Sequence, residues 1–147
     1  MKKLFALVMV LMVALLAVSC KFGTQSKGTV TIYIGDETTQ YTVRVKDLEN
    51  ANNVKDVLDY LKENENLTFE CVDSGYGAMI TKIGNLAPDA NAHEYIAIYT
   101  TNEKDFSIPP YDTSVTVGEK TFVYSGNGIS QMSIDDGTAV LFVIESW

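Results

Sequence analysis

One stretch of the chain carries a clear helical pattern. Val54, Val57, Leu58 and Leu61 fall at i, i+3, i+4 and i+7, which draws a single apolar stripe along a helix over residues 52–64. Lys55, Asp56, Asp59, Lys62 and Glu63 take the opposite side, and Lys55 is spaced to pair with Asp59 one turn on. Asn52 or Asn53 is placed to cap the first turn, with Asp56 near the positive end of the helix dipole. Nearly everything around this segment reads as strand. One amphipathic helix flanked by strands must lay its stripe on their sheet, because nothing else in the chain can bury it.

Residues 29–34 alternate, with Val30, Ile32 and Ile34 on one face, and residues 40–46 alternate with Tyr41, Val43 and Val45 inward. Gly35, Asp36 and Glu37 turn the chain between them, so the pair is predicted to be a hairpin. Beyond the helix, Leu67, Phe69 and Cys71 share one strand face, and residues 78–83 return as a strand after a turn at 73–77. A loop over 84–92 contains Pro88. In residues 94–101 Tyr95 and Tyr99 point one way and Ile96 and Ile98 the other. Residues 102–118 are irregular, with Pro109 and Pro110 side by side, and loops of that length are often functional. After a short strand at 120–124, residues 138–144 are nearly all apolar, as a central strand covered on both faces requires. The helix can cover one face; the excursion from 102 to 136 is expected to cover the other.

The N-terminus changes the picture. Lys2 and Lys3 precede an unbroken apolar run over residues 4–18, and Ala17-Val18-Ser19-Cys20 follows. The run is short of the ~20 residues a spanning helix needs and fits the apolar core of an export signal. Its end resembles a bacterial lipobox, although Ala17 stands where Leu is most often found. That resemblance implies a signal peptide over 1–19, diacylation with palmitate-type chains at Cys20, a tether over 20–28 and one domain over 29–147. It places the protein on the extracytoplasmic side of the cell membrane, with the lipid bilayer as a partner through the anchor. Cys71 then has no internal disulfide partner.

The 147 residues carry 11 basic and 19 acidic side chains. Without the leader the side-chain charge is about −10, which repels phosphate backbones and excludes nucleic acid as a partner.

The order hairpin, helix, strands and final buried strand is that of a β-grasp fold: α+β, a mixed sheet with one helix on one face. At this point the sequence resembles the transcobalamin-type C-terminal domain, found in vertebrate cobalamin carriers and in many bacterial surface proteins. The resemblance covers residues 29–146. It rests on Val54-Lys55-Asp56-Val57-Leu58 opening the helix, on the strand from Gly75-Tyr76-Gly77 to Ile83, on Glu94-Tyr95-Ile96-Ala97-Ile98-Tyr99-Thr100, and on Asp135-Asp136-Gly137-Thr138 before the last strand. Members often carry a Trp in the aromatic strand, whereas the only Trp here is Trp147. The resemblance implies cobalamin as a candidate ligand. In the carriers the vitamin sits between this module and a helical domain, for which this sequence shows no pattern.

Candidate chemistry is sparse. Cys71 shares a face with Leu67 and Phe69 and reads as a small core hydrophobe. His93 is the only histidine, and no spacing supplies the three ligands of a catalytic zinc. Gly75, Gly77, Gly126 and Gly128 are turn glycines that open no helix, so they make no phosphate cradle. No catalytic residues and no metal site are predicted. Aromatic residues near the long loops are the remaining signal, because Tyr joins apolar area to a hydrogen-bonding tip. Tyr76, His93, Tyr95, Tyr99, Phe106 and Tyr111 are the candidate ligand contacts. For Tyr95 and Tyr99 a second reading stands open, a small core beneath the excursion. The expected function is a non-catalytic binding lipoprotein for a cobalamin-like or other small ligand. The alternative is a cell-surface module that binds an envelope protein.

Overall fold

The computed structural model describes residues 28–48 and 50–147, and within them the side chains of all but Asp36 and Glu37. The signal segment expected over 1–19, Cys20 and most of the expected tether lie outside the described residues. Eight strands and one α-helix are found among these: β1 Thr29–Ile34, β2 Asp36–Arg44, α1 Val54–Asn64, β3 Phe69–Ser74, β4 Gly77–Ile83, β5 Glu94–Thr100, β6 Ser114–Val117, β7 Lys120–Tyr124 and β8 Ala139–Ser146. The main sheet has the order β2-β1-β8-β5-β7-β6. It is mixed: β1 runs parallel to β8, and the remaining pairs are antiparallel. The class is α+β and β-grasp-like.

The helix forms where its stripe places it and starts at Val54, two residues later than the pattern suggests. Asn53 is the cap: its Oδ1 accepts from Asp56 N at 3.2 Å and Asp56 Oδ2 accepts from Asn53 N at 3.2 Å, a reciprocal capping box. Lys55 Nζ meets Asp59 at 2.7 Å. Two further amides of the first turn donate into the chain beyond β7, Val54 N to Met132 O and Lys55 N to Ile129 O. Val54, Val57, Leu58 and Leu61 are at most 1% exposed. Burying four such side chains contributes on the order of 6–12 kcal/mol before chain entropy is charged against it.

Two corrections to the sequence reading concern what covers each face. β3 and β4 do not join the main sheet; they form a separate two-stranded sheet. It packs Phe69, Cys71, Ala78, Ile80 and Ile83 into the same core as α1. The excursion between β5 and β8 also divides. Ile129, Met132 and Ile134 go to the helix side, while β6 and β7 bring Val115, Val117, Phe122 and Tyr124 to the other face. The sheet reaches this by curling. β1 and β7 stand three strands apart, about 14 Å if the sheet were flat, yet the Tyr33 and Phe122 rings meet edge to face with centroids 5.5 Å apart. Ala97 and Ala139, small residues of the intervening strands, leave room for that contact. Ala139 to Phe142 of β8 are buried, as a strand between two cores must be.

Candidate functional site

Between β5 and β8 the irregular chain on either side of the β6–β7 hairpin builds an open cleft. Three pieces of chain make its walls. The first is the tip of the β3–β4 hairpin. Ser74 Oγ donates to Gly77 O at 2.6 Å and accepts from Tyr76 N at 3.2 Å, which holds the turn and leaves the Tyr76 side chain outward. The tip is fastened to the chain beyond β7 by Gly128 N donating to Tyr76 O at 2.6 Å, Ile129 N to Ala78 O at 2.8 Å, and Ala78 N to Ser130 Oγ at 2.8 Å. A Cβ on Gly128 would stand 2.5 Å from the Ala78 carbonyl oxygen, so only glycine permits this approach.

The second wall is the chain over 102–106. Its centre is Asp105, a carboxylate 2% exposed. Asp105 Oδ2 accepts from Ser133 N at 2.8 Å and Oδ1 accepts from Asn127 Nδ2 at 3.0 Å. Its carbonyl accepts from Gly126 N at 2.9 Å. One residue thereby joins the loop after β5 to the loop after β7. Beside it, Lys104 Nζ pairs with Asp135 at 2.9 Å, and Asn102 Nδ2 reaches the same carboxylate at 2.8 Å. The Lys104 bond first, and the Asn102 bond after it, hold the Asp135 carboxyl below its ordinary range.

The third wall is a turn at Ile108–Tyr111, where the Pro109–Pro110 peptide is cis and Tyr111 N donates to Ile108 O at 2.9 Å. The turn holds Ile108 and Tyr111 out, 76% and 68% exposed. Between the walls lies a cavity of about 650 Å³ whose lining includes Tyr76, Met79, Phe106, Ile108, Tyr111 and Tyr124. That volume lies within the range of small-ligand sites. Among the described residues Val72, Tyr76, Ile108, Tyr111 and Trp147 are the large apolar side chains left exposed, and three of these five line this one cavity.

Of the six sequence candidates, the cavity therefore gathers Tyr76, Phe106 and Tyr111. His93, Tyr95 and Tyr99 are elsewhere. His93 is exposed in a left-handed conformation (φ 56°), and its ring lies 5.5 Å from Trp147, which also lies 5.6 Å from Tyr95. Tyr99 is 2% exposed in the core of the curled face, where it meets Tyr124 edge to face at 5.4 Å. Tyr124 is thus the partition between the cavity and the tyrosines behind it. The hydroxyls of Tyr95, at 2.9 Å, and Tyr99 both donate to Glu145. Burial first, and the Glu145 bond second, push the Tyr99 phenol up to about 12 and Tyr95 further. Tyr124 is raised by burial and by the Glu145 charge. Cys71 is half-buried against the helix-side core, so the structure does not bring it together with His93.

Sequence reasoning passed over Asp105, Asn127 and Ile108, which carry no periodic signal because they stand in irregular chain. Glu145 did carry one. It continues the 139, 141, 143 parity of β8 and so falls on the tyrosine face.

No protein-family model matches the chain and no curated protein matches it. Fifteen chains of solved structures match its fold. One is a "putative metal binding protein" from Ruminococcus gnavus, with TM-score 0.51 and 15% identity over 82% of this chain and 98% of that one. At that identity the likeness shows the fold alone. Among the described residues no three His, Cys, Asp or Glu side chains gather at one place.

Proposed function

We propose that this chain is a non-catalytic binding lipoprotein, held on the extracytoplasmic side of the membrane by Cys20, that takes a cobalamin-like or other small ligand against the aromatic and aliphatic side chains between Tyr76 and Tyr111. The observation that carries the reading is the concentration of exposed apolar side chains at one cavity, since exposed groups of this kind mark ligand or partner sites. The walls are tied by Asp105 and by the Gly128 contact, so little ordering is required when a ligand enters. The transcobalamin-type resemblance supplies a corrinoid as the first ligand to try. A corrinoid exceeds drug size, so it would lodge one edge in the cavity and leave the rest outside. The metal binding named for the Ruminococcus protein is not carried over, because the described residues offer no cluster of ligands for it.

Isothermal titration of the lipoprotein with cobalamin and with corrinoids lacking the nucleotide loop tests this. Saturable 1:1 binding is expected, weakened roughly tenfold in Tyr76→Ala and in Tyr111→Ala and unchanged in Trp147→Phe. No heat at high micromolar ligand removes the corrinoid. A second reading, an envelope-protein partner, is favoured by β2, an outer strand of nine residues in the main sheet, because outer strands accept added strands. Its signature is a stoichiometric protein captured from cell envelopes without added ligand.

A further inference from the structure

The apolar surface at the cavity is larger than the cavity. Val72, 55% exposed, pairs directly across the hairpin with Met79 of the cavity wall, and directly opposed residues in an antiparallel pair share a face. Four of the five large apolar side chains exposed among the described residues therefore belong to one surface: Val72, Tyr76, Ile108 and Tyr111. Trp147 stands at the other end of β8.

The chain enters the fold at the same end of the main sheet as one wall of the cavity. Thr29 O accepts from Gly137 N at 2.9 Å, and Asp135, two residues earlier, holds Lys104 of the cavity wall. Between Cys20 and Gly28 the backbone reaches at most about 28 Å when fully extended, less than the ~35 Å breadth of a domain of this size. A domain so tethered cannot turn its entry end to the side facing away from the anchor. Tyrosines with neighbouring aliphatic side chains are suited to the headgroup layer, where each ring is half in water. The acidic surface argues against electrostatic attraction to anionic lipids. Insertion of these apolar side chains needs no such attraction.

We infer that Val72, Tyr76, Ile108 and Tyr111 form a membrane-docking face that seats the mouth of the cavity on the lipid bilayer. This rests on the anchored reading above. A cavity so placed opens on the headgroup layer, and its ligand exchanges along the membrane surface.

The test uses the mature lipoprotein purified from membranes and reconstituted into phosphatidylcholine bilayers containing chain-brominated lipid. Trp147 is the internal reference in the wild-type chain. Ile108→Trp and, separately, Tyr76→Trp, each in a Trp147→Phe background, report from the two lips of the cavity. Emission at 108 and at 76 is expected to fall by about half as brominated lipid replaces ordinary lipid, because a docked apolar face lies at the headgroup–acyl boundary, while Trp147 is unaffected. Equal quenching at all three positions, or none at 108 and 76, overturns the docking face while leaving the anchor intact. Mass spectrometry of the same preparation separates the two failures. A chain without acyl groups at Cys20 overturns the anchor and the docking face together.

Discussion

Replacing Asp105 by Ala removes its two side-chain ties to the chain that follows β7 and leaves the backbone bond from Gly126 N to its carbonyl. The carboxylate is 2% exposed, and its bonds to Ser133 N at 2.8 Å and Asn127 Nδ2 at 3.0 Å are charge-assisted, worth roughly 1.5–3 kcal/mol each. Part of this is offset because the variant no longer buries a charge. Against that, the Ser133 amide loses its acceptor in partly buried surroundings, at about 1–3 kcal/mol. The net loss expected is about 3–5 kcal/mol. Asp105→Asn keeps an acceptor for Ser133 N and lets Asn127 turn its carbonyl inward, so about 1–2 kcal/mol is expected there. Urea unfolding followed by far-UV circular dichroism reads both. With a slope near 2 kcal/mol/M the Ala midpoint falls by about 2 M and the Asn midpoint by less than about 1 M. The two slopes should match wild type, because the buried area is nearly unchanged. An Ala variant within about 0.5 kcal/mol of wild type would refute the view that this one carboxylate holds the cavity walls. Equal losses in Ala and Asn would refute the hydrogen-bond reasoning specifically.

The Gly128 contact is tested by Gly128→Ala, whose Cβ would press on the Ala78 carbonyl at 2.5 Å and on Gly77 C at 2.7 Å; a loss of about 2 kcal/mol or more is expected by thermal melting. Gly126→Ala, where the nearest atom is the Ser107 Cα at 3.3 Å, is expected to stay within about 1 kcal/mol of wild type. The tyrosine cluster predicts an alkaline transition. Because the folded phenols of Tyr95 and Tyr99 ionise above the ordinary value near 10, the unfolded chain loses those protons first. The stability they contribute is therefore complete below about pH 10 and lost as pH rises toward 12 and beyond. Glu145→Gln should lower the Tyr99 transition without returning it to 10, since burial is the larger cause; absorbance near 295 nm checks this.

Much of the architecture could be read from residue order alone. The spacing of Val54, Val57, Leu58 and Leu61 determined the helix and its buried face, and Asn53 with Asp56 set where it begins. Alternation in β1, β2 and β5 and the unbroken apolar run of β8 determined a sheet with a strand buried on both sides. These signals are local, because period and capping depend on neighbours a few residues away. Tertiary structure alone decided what lies on each face. Nothing local tells β3 and β4 to leave the main sheet, or the segment after β7 to cross to the helix side, since alternation shows that a strand has a buried face but not which partner covers it. The cavity belongs to the same class of decision. Tyr76 stands more than thirty residues from the turn that carries Ile108 and Tyr111, and the two meet because Asp105 and Gly128 fasten irregular chain to irregular chain. A buried carboxylate and a glycine chosen for close approach take their meaning from partners tens of residues away, so their roles appear only once the chain is folded.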